Sequence, residues 1–141
     1  MLINKDWHPK DLEGFQGKVE ELRLKVKPDL PVDEIVRMEL EVLMFASSLT
    51  WPIAQARFYE AKMQGAAKNE YTRSFLTKEG TDRRRDAEAK ASSEVRVAEV
   101  KAFEAEVSRK LLEDVKNDFV AIHYALKAML SEKTSEKKFG Y

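Results

Sequence analysis

From Asp82 to Glu132 the chain contains neither proline nor glycine. Read as one helix, this run is about 50 residues and about 75 Å long at the α-helical rise. A helix of that length does not stand alone in water, so the run predicts a partner along its length. Ala91, Ala98, Ala105, Leu112, Phe119 and Leu126 recur every seven residues, and Val95, Ala102 and Leu130 fill the intervening positions of a seam. Arg109, Lys116 and His123 interrupt that seam. A second apolar stripe runs beside it: Val100, Phe103, Val107, Leu111 and Ile122. One seam buries one partner. Two adjacent stripes predict two, the sister helix and a neighbouring subunit. The competing reading is a monomer whose N-terminal arm folds over the second stripe. The width of the apolar face favours a homo-oligomer with Val100, Phe103, Val107, Leu111 and Ile122 at its interface.

Upstream, glycines and prolines punctuate the sequence. Pro9 suits a first helical position, and Leu12, Phe15, Val19 and Leu22 come after it at helical spacing. Gly14 and Gly17 weaken this helix by about 1 kcal/mol each relative to alanine, so residues 1–30 are expected to form an arm with a marginal helix. Pro28 and Pro31 end it. A second helix is predicted from Val32 or Asp33, with Ile35, Leu40, Leu43 and Met44 as its apolar side. A kink is expected at Thr50-Trp51-Pro52, with Thr50 as a cap, and the helix then resumes to about Phe75. Ala54, Ala56, Ala61, Ala66 and Ala67 would let a partner helix approach closely. The chain is expected to turn near 77–81, with Gly80 in a left-handed conformation and Thr81 capping the next helix. The predicted fold class is therefore all-α: a long antiparallel, coiled-coil-like helical hairpin over 31–133, preceded by one or two shorter helices. A polar, flexible tail is expected over 134–141.

Chemistry is sparse. There is no cysteine, and the two histidines, His8 and His123, are far apart and outside any Glu-x-x-His motif. No Gly-x-x-x-x-Gly-Lys loop is present to cradle phosphates. The expectation is a non-enzymatic protein with no catalytic residues, no metal and no cofactor. Residues 1–10 lack the apolar core of a signal peptide, and no window approaches the ~20 apolar residues of a membrane span. A cytoplasmic location is expected, that of an infected host cell if the chain is phage-encoded.

The 25 basic and 25 acidic residues cancel, so any polyanion site has to be a local patch. One is visible. Pro52–Ala91 carries nine basic and six acidic residues, a net +3, whereas Met1–Val42 carries seven and ten, a net −3. Arg57 and Lys68 are eleven residues apart, as are Lys62 and Arg73, close to three turns in each case. These four form two rows on one helix, interleaved with Phe58, Tyr59 and Tyr71, whose ring faces suit base stacking. Arg83, Arg84 and Arg85 stand at a helix start, where the dipole disfavours cations. Phosphate contact would account for that placement, as would pairing with Asp82 and Asp86.

In three segments the order of elements resembles the phage recombination mediator proteins of the UvsY type. Val19–Val26 followed by Pro31–Phe45 looks like that family's opening, an amphipathic turn, a break and a helix ending in an aromatic. Ala54–Gly65 looks like its central DNA-contacting segment, Ala-x-Ala-Arg followed by aromatics and a glycine. The helix after Glu79-Gly80-Thr81 looks like its second hairpin arm. The resemblance covers most of 19–132. It implies binding of single-stranded DNA, a ring-like homo-oligomer, and contacts with a strand-exchange recombinase and a single-strand-binding protein. In that role the protein helps load the recombinase onto DNA covered by the single-strand-binding protein. Arg57 matches the family's basic contact position. Where the family has another basic residue two positions earlier, this chain has Gln55. The alternative function is a structural or assembly protein of scaffold or chaperone type, acting through protein contacts only.

Overall fold

A computed structural model of the chain describes residues 9–138, with side chains over 12–135. Those residues form five helices: α1 (Pro9–Lys25), α2 (Val32–Ser48), α3 (Thr50–Thr77), α4 (Asp82–Ala91) and α5 (Ser93–Lys138). The fold is all-α. α3 descends to a turn at 78–81 and the chain returns through α4 and α5, a helical hairpin preceded by α1 and α2. Contacts divide it into two compact units, Ile53–Lys110 and, within the described residues, 9–52 with 111–138.

The turn forms as its residues dictate. Gly80 has φ +111°, which side-chain-bearing residues rarely adopt. The Thr81 hydroxyl then accepts the Arg84 amide at 3.3 Å and caps α4.

The unit containing α1 and α2 has the larger apolar core. Leu12, Val19 and Leu22 of α1 are buried at the predicted spacing, so α1 is a full helix despite Gly14 and Gly17. Packing of that face outweighs the propensity deficit. From α5, Leu112, Val115, Phe119, Ile122 and Leu126 are buried. The Phe119 ring stacks on Phe45 with centroids 5.4 Å apart, and Phe15 meets Phe45 edge-on at 6.5 Å. Lys18 lies over the same Phe45 ring and pairs with Glu41 at 2.6 Å. His123, half-buried, places Nδ1 3.3 Å from the Glu39 carboxylate, so the seam histidine is packed against α2.

Several boundaries and faces differ from expectation. α2 buries Ile35, Met38, Val42 and Ala46, whereas Leu40, Leu43 and Met44 are exposed. Apolar residues lie on more than one side of α2, so its spacing alone left the inward face ambiguous. The break between α2 and α3 falls at Leu49, one residue before the expected cap, and Thr50 is helical. Leu49 stays close to helical geometry, with φ −83° and ψ −12°, and its amide bonds to Ala46 O.

The run after Asp82 is not one helix. Ser92 takes an extended conformation, φ −60° and ψ 136°, ending α4 and opening α5. Its hydroxyl and that of Ser93 bond to Glu94 at 2.8 and 3.2 Å. Serine side chains that bond locally compete with the helix ladder, and no proline or glycine marks the site. At the C-terminus α5 continues through Lys138, so most of the expected flexible tail is helical. Phe139, Tyr141 and His8 lie outside the described residues.

The unit Ile53–Lys110 has a thin core. Its buried apolar residues are Ile53, Ala89, Val95 and Ala105 among the described residues. Of the α3 alanines only Ala56 and Ala67 are half-buried, while Ala54, Ala61 and Ala66 are exposed. Ala105 occupies the seam as predicted, Ala98 is half-buried, and Ala91 is exposed. Polar cross-links take over where apolar contact is short.

Candidate functional site

α3 carries two carboxylates, Glu60 and Glu70, and four cations, Arg57, Lys62, Lys68 and Arg73. The fold separates them. Glu60 is buried, 9% exposed, and accepts from the Arg109 guanidinium of α5 through Nε and through Nη2 at 3.3 Å. The Gln64 amide donates to the same carboxylate at 3.3 Å. Arg109 thus interrupts the seam because it meets a buried partner. Glu70 pairs with Arg73 at 2.8 Å and lines an open cavity of about 430 Å³. Ala66 of α3 and Ala98 of α5 both line it, and their methyl groups leave it open.

With Glu60 turned toward α5 and Glu70 held by Arg73, the outer side of α3 presents Lys62 and Lys68 with no α3 carboxylate between them. Arg57, Lys62, Lys68 and Arg73 are all exposed. Arg57 and Lys68 lie on one edge of that side and Lys62 and Arg73 on the other, about 140° around the helix. Phe58, 57% exposed, and Leu76 lie on the line between the two rows. Tyr59 is exposed as well. Tyr71, also expected among the stacking rings, is half-buried and donates its hydroxyl to Asp86 of α4. Its ring sits beside Phe75 and anchors the turn.

The arginine run divides. Arg83 is exposed. Arg84, also exposed, pairs with Glu88 at 3.0 Å. Arg85 lies 4.4 Å above the Phe75 ring, and its Nε donates to Phe75 O at 3.2 Å. The geometry therefore gives Arg85 a structural role, clamping α4 onto the end of α3. Stacking and carbonyl capping compensate for a cation at a helix start.

Asp86 accepts the Tyr71 hydroxyl and lies 3.1 Å from Lys90. These two contacts, the hydroxyl first, hold its carboxyl below the usual carboxylate range. Its stabilising contribution is therefore present at neutral pH and lost as pH falls through the depressed folded-state value. Asp86→Asn is expected to flatten the acid limb of the stability profile below about pH 4. Denaturation midpoints measured between about pH 2.5 and 7 check this, and an unchanged limb would remove Asp86 from the account.

Of the predicted oligomer residues on α5, Val100, Phe103 and Val107 are exposed at 55, 63 and 38% on the side of the helix away from Ala105. Leu111 is 38% exposed in the other unit. Ile122 differs from them in exposure and is buried in the core with Phe119 and Leu126. Ile122 lies eleven residues, about three turns, beyond Leu111 on a similar side of α5, and it is buried within the unit that also contains α1 and α2.

Among the described residues no group of three His, Asp or Glu side chains could hold a metal ion, and no helix is long and apolar enough to cross a membrane. Comparisons with protein-family models, curated proteins and solved structures find no match to this chain.

Proposed function

We propose that the chain is a non-enzymatic protein that binds single-stranded DNA along the outer side of α3, in the manner of a recombination mediator. The observation that carries this reading is the sorting of charge on α3. Glu60 faces α5, Glu70 is held by Arg73, and Lys62 and Lys68 flank the exposed Phe58 with no α3 carboxylate between them. Phosphates would be met by the two cationic rows and bases by Phe58, a combination tolerant of sequence. In the mediator role, a strand-exchange recombinase and a single-strand-binding protein would be the protein contacts. A titration of a fluorescent oligodeoxythymidylate at two salt concentrations tests it. Lys62→Ala with Lys68→Ala is expected to weaken binding and reduce the salt slope by about 0.7 per lost contact. An unchanged slope would move the site off α3.

Self-association belongs to the same reading, through the exposed Val100, Phe103 and Val107 of α5. Phe103→Glu is expected to lower the assembly mass in sedimentation while leaving helicity intact, since the ring is already 63% exposed. A wild-type monomer at tens of micromolar would remove this part of the proposal.

One observation favours a second reading, an assembly factor working by protein contacts alone. α2 also exposes an apolar row, Val36, Leu40, Leu43 and Met44. Under that reading oligonucleotide affinity would be weak and salt-independent.

A further inference from the structure

Gly65 stands near the middle of α3 and is exposed. Glycine is among the poorest helix formers, so a glycine here calls for a reason. Conformation does not supply one: among the described residues only Gly80 has positive φ. Packing does not either, because a Cβ built on Gly65 meets nothing within 4 Å. Gly14 and Gly17 of α1 are equally open, so openness alone marks no site. What distinguishes Gly65 is its position. It lies seven residues after Phe58 and eleven before Leu76, on the line between the two cationic rows.

The remaining use of a glycine is close approach of another molecule to the backbone. We propose that an unpaired base lies flat on the bare helix surface at Gly65, making Gly65 the point where a bound single strand comes nearest the protein. Phe58 supplies a ring face two turns away, and Lys62 and Lys68 hold the phosphates on either side. The ligand class is a polynucleotide with free base faces. A duplex, whose faces are already stacked, gains nothing from the bare surface. This inference rests on the reading of the α3 outer face as the strand site.

The test uses the full chain, an oligodeoxythymidylate, and an abasic oligonucleotide of the same length. Gly65→Ala is expected to raise the melting temperature by about 3 °C through helix propensity while weakening oligodeoxythymidylate binding. Gly65→Leu is expected to weaken it about tenfold, the scale of one base's stacking. The abasic strand should bind wild type and Gly65→Leu equally, because its phosphates are intact and the clash is with a base. Equal loss on both strands would overturn the inference, as would unchanged binding to both. If Lys62→Ala with Lys68→Ala weakens binding and Gly65→Leu does not, the strand site stands and the role of Gly65 falls. If wild type binds neither strand, both fall. A change in assembly mass by Gly65→Leu in the absence of DNA would instead make this face a helix–helix contact and overturn the proposal.

Discussion

Phe119→Ala is expected to destabilise the protein by about 4 kcal/mol, the middle of the range for truncating a buried aromatic. Phe119 is fully buried and stacked on Phe45, which itself carries Phe15 at its edge and Lys18 over its face. Removing the ring leaves Phe45 without its stacking partner and opens a cavity in a unit where Leu22, Ile35, Leu112 and Leu126 also have 0% exposure. Rigid helices close such a gap only in part. Urea denaturation of the variant checks the figure. Leu40→Ala serves as the control, because Leu40 is 61% exposed and its loss should move the midpoint little. A loss below about 1.5 kcal/mol for Phe119→Ala would mean that the core collapses around the missing ring.

Arg109→Leu is expected to cost about 3 kcal/mol, because it strands the Glu60 carboxylate in a buried position. Gln64 would remain as a neutral donor, too little to solvate an ion. The double variant Glu60→Leu with Arg109→Leu is expected to recover most of the loss. Two leucines of similar bulk have no desolvation to offset, and the surrounding core is otherwise small. The four denaturation curves form a mutant cycle whose coupling should exceed about 1.5 kcal/mol. Additive single and double effects would show that the pair contributes nothing as a pair.

Much of the architecture was legible in the residues. Gly80 and Thr81 announced the turn because left-handed backbone and helix caps have narrow chemical requirements. Leu12, Val19 and Leu22, and then Ala105, Leu112, Phe119 and Leu126, were legible because helical and seven-residue spacing sets each group along one line of its helix. α2 was not, since apolar residues lie on several sides of it and only the packed structure selects Ile35, Met38, Val42 and Ala46. The break at Ser92 was hidden because serine interrupts a helix only when local geometry favours its side-chain bonds. For the candidate site, the spacing of Arg57, Lys62, Lys68 and Arg73 could be read directly. The inward turn of Glu60 could not, because it depends on Arg109, on the other arm of the hairpin. Arg85 was assigned with its neighbours Arg83 and Arg84 because a run of like residues carries no signal of which one has a ring beneath it.

The Glu60–Arg109 pair also constrains how this chain can change length over evolutionary time. It crosses from the descending to the returning arm of the hairpin, and the tip at Gly80 lies between. A helical insertion between Glu60 and the tip carries the tip outward, and the returning arm has to lengthen equally before Arg109 for the pair to meet again. A single unmatched heptad would displace Arg109 by about 10 Å. Length variants of this protein should therefore gain or lose residues in matched amounts on the two arms, whereas short unpaired changes should be confined to 78–81. Comparing natural variants by the distance of the glutamate and the arginine from the tip glycine would expose that symmetry.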